Sequence, residues 1–337
     1  MINDPTGLSK VGRAPSVTTT VQPRILFVGA VEEGRRCLEA LLAHGERFAG
    51  FVTLDPALAP VTSGWVRFDD LADAHDVPLI SVRNLNTQEN VAQVAELAPD
   101  LILVIGWTRL LGAELLRLPP LGAVGFHASL LPRYRGRAPV NWALINGERE
   151  TGNTMFYLDE GVDTGLVIDQ RRIPILDEDT CATLYRKVAD SAVDMLLEHL
   201  PRLKDGTAPR TAQDEAKVTV MPRRRPEDGL IDWTRDARSL FNWVRALTHP
   251  YPGAFTFCGR RRLFVWRASE VPADQAGVIP PDATSGQVIA GTGSQVQVVT
   301  GSGLLRLECV QWDGREEQAA DQLAELVGAV LGPERVS

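Results

Sequence analysis

Over its first 128 residues the sequence alternates short apolar runs with stretches that carry apolar residues at helical spacing, and few architectures accept that alternation. RILFVGA (24–30), FAGFVTL (48–54), PLISV (78–82), LILVIGW (101–107) and GAVGFHA (122–128) read as strands. Helices fit between them at 33–44, 69–76, 89–98 and 110–117. Strands separated by helical crossovers pair in parallel, so the pattern predicts an α/β unit with a doubly wound, mostly parallel sheet. APVNWALING (138–147) adds a helix, MFYLDE (155–160) and LVIDQRRIPI (166–175) add two strands around a loop, and residues 180–203 form a long closing helix.

Residues 204–228 are rich in Pro, Arg and Asp with little periodicity and read as a linker. Beyond it, WTRDARSLFNWVRALTH (233–249) has helical spacing. AFTFCG, RLFVWRA, GQVIAG, QVQVVTG and LLRLECVQW then read as five short strands of a small OB-like β-barrel, with a terminal helix over 315–331. The domain reading is a disordered tail at 1–22, a first domain at 23–203, the linker, and a C-terminal domain at 229–337.

Composition closes several routes. The net charge of −8 argues against a general nucleic-acid surface, which needs clustered Lys and Arg. The densest cationic clusters are Arg223-Arg224-Arg225 and Arg260-Arg261-Arg262, each read first as a solvated face. Four separated cysteines with no CxxC pair fit buried thiols better than disulfides or zinc ligands. No apolar run reaches the roughly 18 residues of a membrane span, and residues 1–24 lack a signal-peptide core, so a cytoplasmic protein without a membrane partner is expected. The first strand-to-helix turn, FVGAVEEGRR, lacks GxGxxG, and there is no GxxxxGK[ST], HExxH or GxSxG.

The chemistry concentrates in residues 125–165. His127 lies at the carboxyl end of an apolar strand, where open parallel sheets place their sites, and Asp163 lies in the glycine-flanked turn 159–165. Histidine holds and releases protons near neutral pH, and a neighbouring carboxylate orients it. A strand-end histidine satisfied by a loop carboxylate is the bland alternative.

His127-x-Ser129-Leu130-Leu131-Pro132-x-x-Arg135-Gly136, with Asp163 thirty-six residues beyond the histidine (163 − 127 = 36), resembles the signature of the folate-dependent formyltransferases. Pro226–Trp233, Arg245-Ala246-Leu247 and Pro250–Phe255 are similar to the interdomain region of the methionyl-tRNA and nucleotide-amino-sugar branches, so the likeness covers residues 23–330. It implies a Rossmann-like catalytic domain, an OB-like barrel, and formyl transfer from 10-formyltetrahydrofolate to an amine without a metal. His127 and Asp163 take two catalytic positions, and Gly125 stands where the family has Asn. Another donor then serves, with Asn141, Asn153 or the backbone amide near Gly125 as candidates, or the chemistry has shifted. The folate is expected against Gly106, Trp107, Thr108, Arg109, Leu110 and Leu111 and the loop holding Asp159 and Val162, with a plain core aromatic as the competing reading of Trp107. Arg135, Arg224 and Arg225 are candidate acceptor-binding residues, Arg135 alternatively a loop brace. Arg67 is the only Lys or Arg in the loop 54–78, so a small amine, above all a nucleotide-linked amino sugar, is favoured over tRNA. A non-catalytic folate-binding homologue and a formyltetrahydrofolate hydrolase are the other readings, and a homodimer is left open.

Overall fold

The computed structural model describes residues 22–293 and 295–333. Of the expected tail, all but Gln22 lies outside the described residues.

The first unit runs β1 (Ile25–Val28), α1 (Glu32–Ala43), β2 (Phe48–Leu54), α2 (Asp69–His75), β3 (Leu79–Val82), α3 (Gln88–Glu96), β4 (Leu101–Val104), α4 (Ala113–Arg117) and β5 (Ala123–His127). It continues with β6 (Arg135–Gly136), α5 (Pro139–Ile145), β7 (Glu150–Tyr157), β8 (Val167–Pro174) and α6 (Cys181–Lys204). The seven-stranded sheet has the order β3-β2-β1-β4-β5-β7-β8. β1 to β5 are parallel, and β7 is antiparallel to both β5 and β8. Strand side chains alternate between faces. Ile25 and Phe27 therefore join one core with Leu38, Leu41, Met195 and Leu196 from α1 and α6, while Leu26 and Val28 join another with Val94 and Leu115 from α3 and α4.

Order reverses between β1 and β4, the switch point at which open α/β sheets bind ligands beyond their strand ends. His127 ends β5, so the sheet carries it to that edge.

The expected linker is not a free connection. Val167 and Thr211 exchange backbone hydrogen bonds of 2.8 and 2.9 Å, and β9 (Val220–Met221) pairs in parallel with β6. The chain thus returns across the first unit before leaving it. A strand needs a partner for its backbone groups, and the short β6 finds one only here.

Beyond β9 lie α7 (Ala237–Leu247), β10 (Ala254–Cys258), β11 (Arg261–Glu270), β12 (Val288–Ala290), β13 (Val296–Val299), β14 (Leu304–Trp312), β15 (Glu317–Ala319) and β16 (Leu331–Gly332). The sheet order is β12-β13-β14-β11-β10-β16, with β15 on β14. The bridge Gln287↔Val330 brings its two ends together, so the sheet curls into the expected barrel. The terminal helix expected over 315–331 is absent: that stretch forms β15, a 3-10 segment at Ala320–Leu326, and β16. Unpaired strand edges exert the stronger demand there, and Gly328 at φ +91° ends any helical course.

One core joins the two units, with Val140, Leu144 and Leu184 packed with Leu240 and Val244 of α7 and with Leu263 and Val265 of the barrel. Buried Arg245 ties the same junction, donating from Nη1 to the carbonyls of Leu176 (2.7 Å) and Asp179 (3.1 Å) and from Nε to Asn242 Oδ1 (3.0 Å). Arg245→Met leaves those acceptors buried and unpaired. It should lower unfolding free energy by about 2–4 kcal/mol, read as an earlier urea midpoint; a loss below about 1 kcal/mol would show that the guanidinium does not tie the junction.

Candidate active site

His127 is buried, and its Nε2 lies 2.7 Å from the carbonyl of Tyr134. A carbonyl only accepts, so Nε2 carries the proton. Nδ1 faces Asp163 Oδ2 at 3.5 Å, too long for a good hydrogen bond and close enough for strong attraction if the ring is charged. Nδ1 is therefore the nitrogen free for chemistry.

Asp163 sits in the turn between β7 and β8 at φ +56°, a left-handed conformation that Asp tolerates better than most residues. Its Oδ2 also accepts from the backbone N–H of Gly136 at 2.8 Å, which fixes the carboxylate on the loop that follows His127. Gly136 has φ +102°, and a Cβ there would lie 2.5 Å from the Met221 carbonyl, so β9 can approach only a glycine. Tyr134 (φ +61°) and Ala138 (φ +51°) are left-handed as well, at a cost of about 1–2 kcal/mol each that surrounding contacts must offset.

Those contacts are present. The Tyr134 hydroxyl donates to Glu148 Oε1 at 2.7 Å and accepts from Asn146 Nδ2 at 3.0 Å, and burial raises its phenol above the usual range. Ser129 Oγ donates to Arg133 O at 2.7 Å, while Thr154 Oγ1 donates to Ser129 O at 2.6 Å. The motif's serine thus braces the loop.

The position implied for Asn is closed. Gly125 pairs with Val104 and Phe156 in the sheet, and a Cβ on it would lie 2.9 Å from Leu158 Cδ2 and 3.2 Å from Val104 O. Leu158 fills the space an Asn side chain would use. Two of the suggested substitutes are already engaged. Asn141 donates to Ala246 O (2.6 Å) and accepts from Tyr185, and Asn153 donates to Val188 O and Ser191 Oγ at 3.1 Å each. Both are buried, so neither amide is available to a ligand.

In the segment expected to meet folate, the Gly106 carbonyl accepts from Ala30 N at 3.1 Å, and Thr108 O accepts from Arg137 Nη1 at 2.8 Å. The Arg109 guanidinium donates to Arg83 O. Trp107, like Leu111 and Leu158, packs against the core that holds Val104 and Leu115, and its buried Nε1 has no partner among the described residues. Leu110 and Val162, on the two expected loops, are 60% and 49% exposed. Exposed apolar side chains on both loops suit a flat heteroaromatic ligand. Asp159 Oδ1 instead holds its own turn, accepting from Gly161 N (3.0 Å) and Thr164 Oγ1 (2.6 Å).

The three arginines separate. Arg135 is buried, with its guanidinium on Gln213 and Glu215. Arg224 lies over the rings of Trp142 and Trp243, at 5.2 and 4.6 Å, and donates to Asp228 O. Arg225 is exposed, with its backbone N–H on Asp228 Oδ2. Tyr134 and Gln213 were not singled out from sequence; Tyr134 meets His127 through its main-chain carbonyl, which leaves no residue-type signal. Elsewhere Asp169, Glu198 and His199 converge within 4.8 Å, but both carboxylates are already paired with Arg171.

Asp163→Asn keeps an acceptor for Gly136 N–H and tolerates the same φ, losing only the charge. It should retain the thermal midpoint and cut kcat about 10²-fold or more; unchanged turnover would remove the carboxylate from the mechanism. Gly125→Asn should not raise turnover and should cost about 1–3 kcal/mol through overpacking. Adding Leu158→Ala should recover that stability, and a single variant as stable as the wild type would refute the steric account.

The formyl transferase family model matches residues 66–200, and the formyl transferase C-terminal domain model matches 224–326. The chain is 38% identical over 313 residues to a methionyl-tRNA formyltransferase of Symbiobacterium thermophilum, covering 92% of this chain and 94% of that one. Among solved structures it resembles HypX from Aquifex aeolicus in complex with tetrahydrofolic acid (21% identity, TM-score 0.62), over 91% of this chain and 48% of HypX, so it spans about half of that protein. It also resembles an N-formyltransferase from Helicobacter canadensis in complex with folinic acid and dTDP-3-aminofucose (16% identity, TM-score 0.59), over 85% and 98% of the two chains. A two-domain match of this extent, with the paired His127 and Asp163 at the sheet edge, shows that the chain belongs to the formyl transferase family.

Proposed function

We propose that the chain transfers the formyl group of 10-formyltetrahydrofolate to the amino group of a small acceptor, with a nucleotide-linked amino sugar the favoured class. In this reading the folate lies along residues 106–111 and the 159–163 turn, where exposed Leu110 and Val162 offer apolar cover. The neutral amine attacks the formyl carbon, and the oxygen gains negative charge. His127 Nδ1 takes the proton lost by the attacking nitrogen and returns it to the departing folate nitrogen, so the proton count closes. Asp163 stabilises the imidazolium between those events, and the Nε2 proton stays on Tyr134 O. With Leu158 in the place of an amide side chain, the protonated imidazole supports the oxyanion, and the backbone amide near Gly125 is the remaining candidate donor beside it.

The observation that carries the choice of acceptor is the loop between β2 and α2. It winds into a 3-10 turn at Pro56–Val61, Trp65 bridges to Val31, and Arg67 is paired with Asp69. No unpaired cation stands there to meet a nucleic-acid phosphate. Arg224, stacked between two tryptophans, is the proposed partner of an acceptor diphosphate, with exposed Arg225 beside it; Arg135 is assigned to bracing.

Initiator tRNA is the second reading. The similarity to a methionyl-tRNA formyltransferase favours it, as do Arg260, Arg261, Arg262 and Arg315 around a barrel cavity of about 460 Å³ lined also by Phe257 and Trp312. Release of tetrahydrofolate should be followed with UDP- and TDP-linked amino sugars, free amino acids and charged initiator tRNA. Turnover with a small amine is the expected result. Turnover with tRNA alone would overturn the acceptor class, formate release without acceptor would mark a hydrolase, and tight folate binding with no turnover would mark a non-catalytic homologue.

A further inference from the structure

The segment between the two units carries no catalytic motif, yet its side chains bond to the loops of both reacting residues. Gln213 Nε2 donates to the carbonyls of Asp163 and Gly165, each at 2.9 Å, and so spans the Asp163 turn. Its Oε1 accepts from Arg135 Nε (3.1 Å) and Nη2 (2.8 Å), on the loop after His127. Arg135 is 5% exposed, and its remaining valences go to Glu215 at 2.7 and 3.1 Å. Farther along, Thr219 Oγ1 accepts from Tyr134 N (2.8 Å), and Thr219 O accepts from Arg135 N (2.9 Å). One amide side chain therefore joins the two loops whose separation sets the His127–Asp163 distance.

We infer that residues 211–221 form a positioning strap, with Gln213 as the residue that fixes Asp163 against His127. The role rests on the proposed use of that pair as the reacting groups. The physical case is the backbone. Tyr134, Ala138 and Asp163 all hold left-handed conformations that persist only where surrounding bonds over-determine them. The Asp163 turn closes on itself through Asp159, but its main-chain carbonyls at 163 and 165 are held from outside by Gln213. A shift of about 1 Å between reacting groups can cost on the order of 10²-fold in rate, so a strap that fixes this spacing acts on kcat and not on the binding of folate. Gln213 touches no reacting atom and is a positioning residue.

The test uses the full chain. Gln213→Met keeps the side chain's length and removes every bond. Gln213→Glu keeps an acceptor for Arg135 but offers no donor to Asp163 O or Gly165 O. Both should lower kcat about 10–100-fold, with folate KM and equilibrium folate binding within about threefold of wild type. An acceptor-independent reading comes from ¹⁵N-histidine labelling, with the His127 signal assigned by its loss in His127→Gln. The Nε2 proton, protected on Tyr134 O in the wild type, should exchange at least about tenfold faster in Gln213→Met. Thr219→Val, which releases only Tyr134 N, should show the same pattern more weakly and serves if the Gln213 variants do not fold. Unchanged kcat and unchanged exchange, with only a lower thermal midpoint, would reduce the strap to a structural connection and overturn the inference. If the wild type turns over no acceptor, the proposed function fails while the exchange measurement still decides the strap.

Discussion

The proton on His127 Nε2 is committed to the carbonyl of Tyr134, and the rest of the site depends on that bond. It leaves Nδ1 without a committed proton and points it at Asp163. It exists because Tyr134 is held at φ +61°, a conformation a bulky residue avoids unless its neighbours compel it. Its hydroxyl is bonded to Glu148 and Asn146 and its amide to Thr219, so the residue is fixed at both ends. The buried polar network around it raises the cost of any other arrangement, because each released partner would be left unsatisfied.

The fold supplies what the network cannot. A parallel sheet directs all its carboxyl ends to one edge, and the change of direction between β1 and β4 opens a crevice there. The antiparallel strands β7 and β8 add a turn at the same edge, which carries Asp163 to the end of β5. The chain then runs back over this edge as β9 before entering α7 and the barrel, so the connection between units is also part of the site. The shared core and Arg245 fix the second unit on the first.

The five parallel strands were legible because each is a bounded apolar run, and the pairing of His127 with Asp163 was legible because residue type and position coincide: a histidine at a strand end and an aspartate in a glycine-flanked turn. β7 begins at Glu150, earlier than its apolar run, because Asn153 Nδ2 and Thr154 Oγ1 are buried on partners distant in sequence. The stretch 315–331 has leucines at helical spacing, yet Leu323 and Leu326 pack into the barrel from a 3-10 segment while its flanks pair with β14 and β10. Residues 204–228 read as a linker since Gln213, Thr219 and the backbone at 220–221 act through single bonds, and single bonds have no period. The filling of the Gly125 site by Leu158 is a packing fact that neither residue announces.

The most direct test is a crystal structure of the full chain with a stable 10-formyl folate analogue bound. The proposed site puts the pterin along residues 106–111 and the N10-formyl group about 3.5 Å from His127 Nδ1, on the side facing Asp163. A folate seated elsewhere, or one whose formyl group approaches neither His127 nor Asp163, would contradict it.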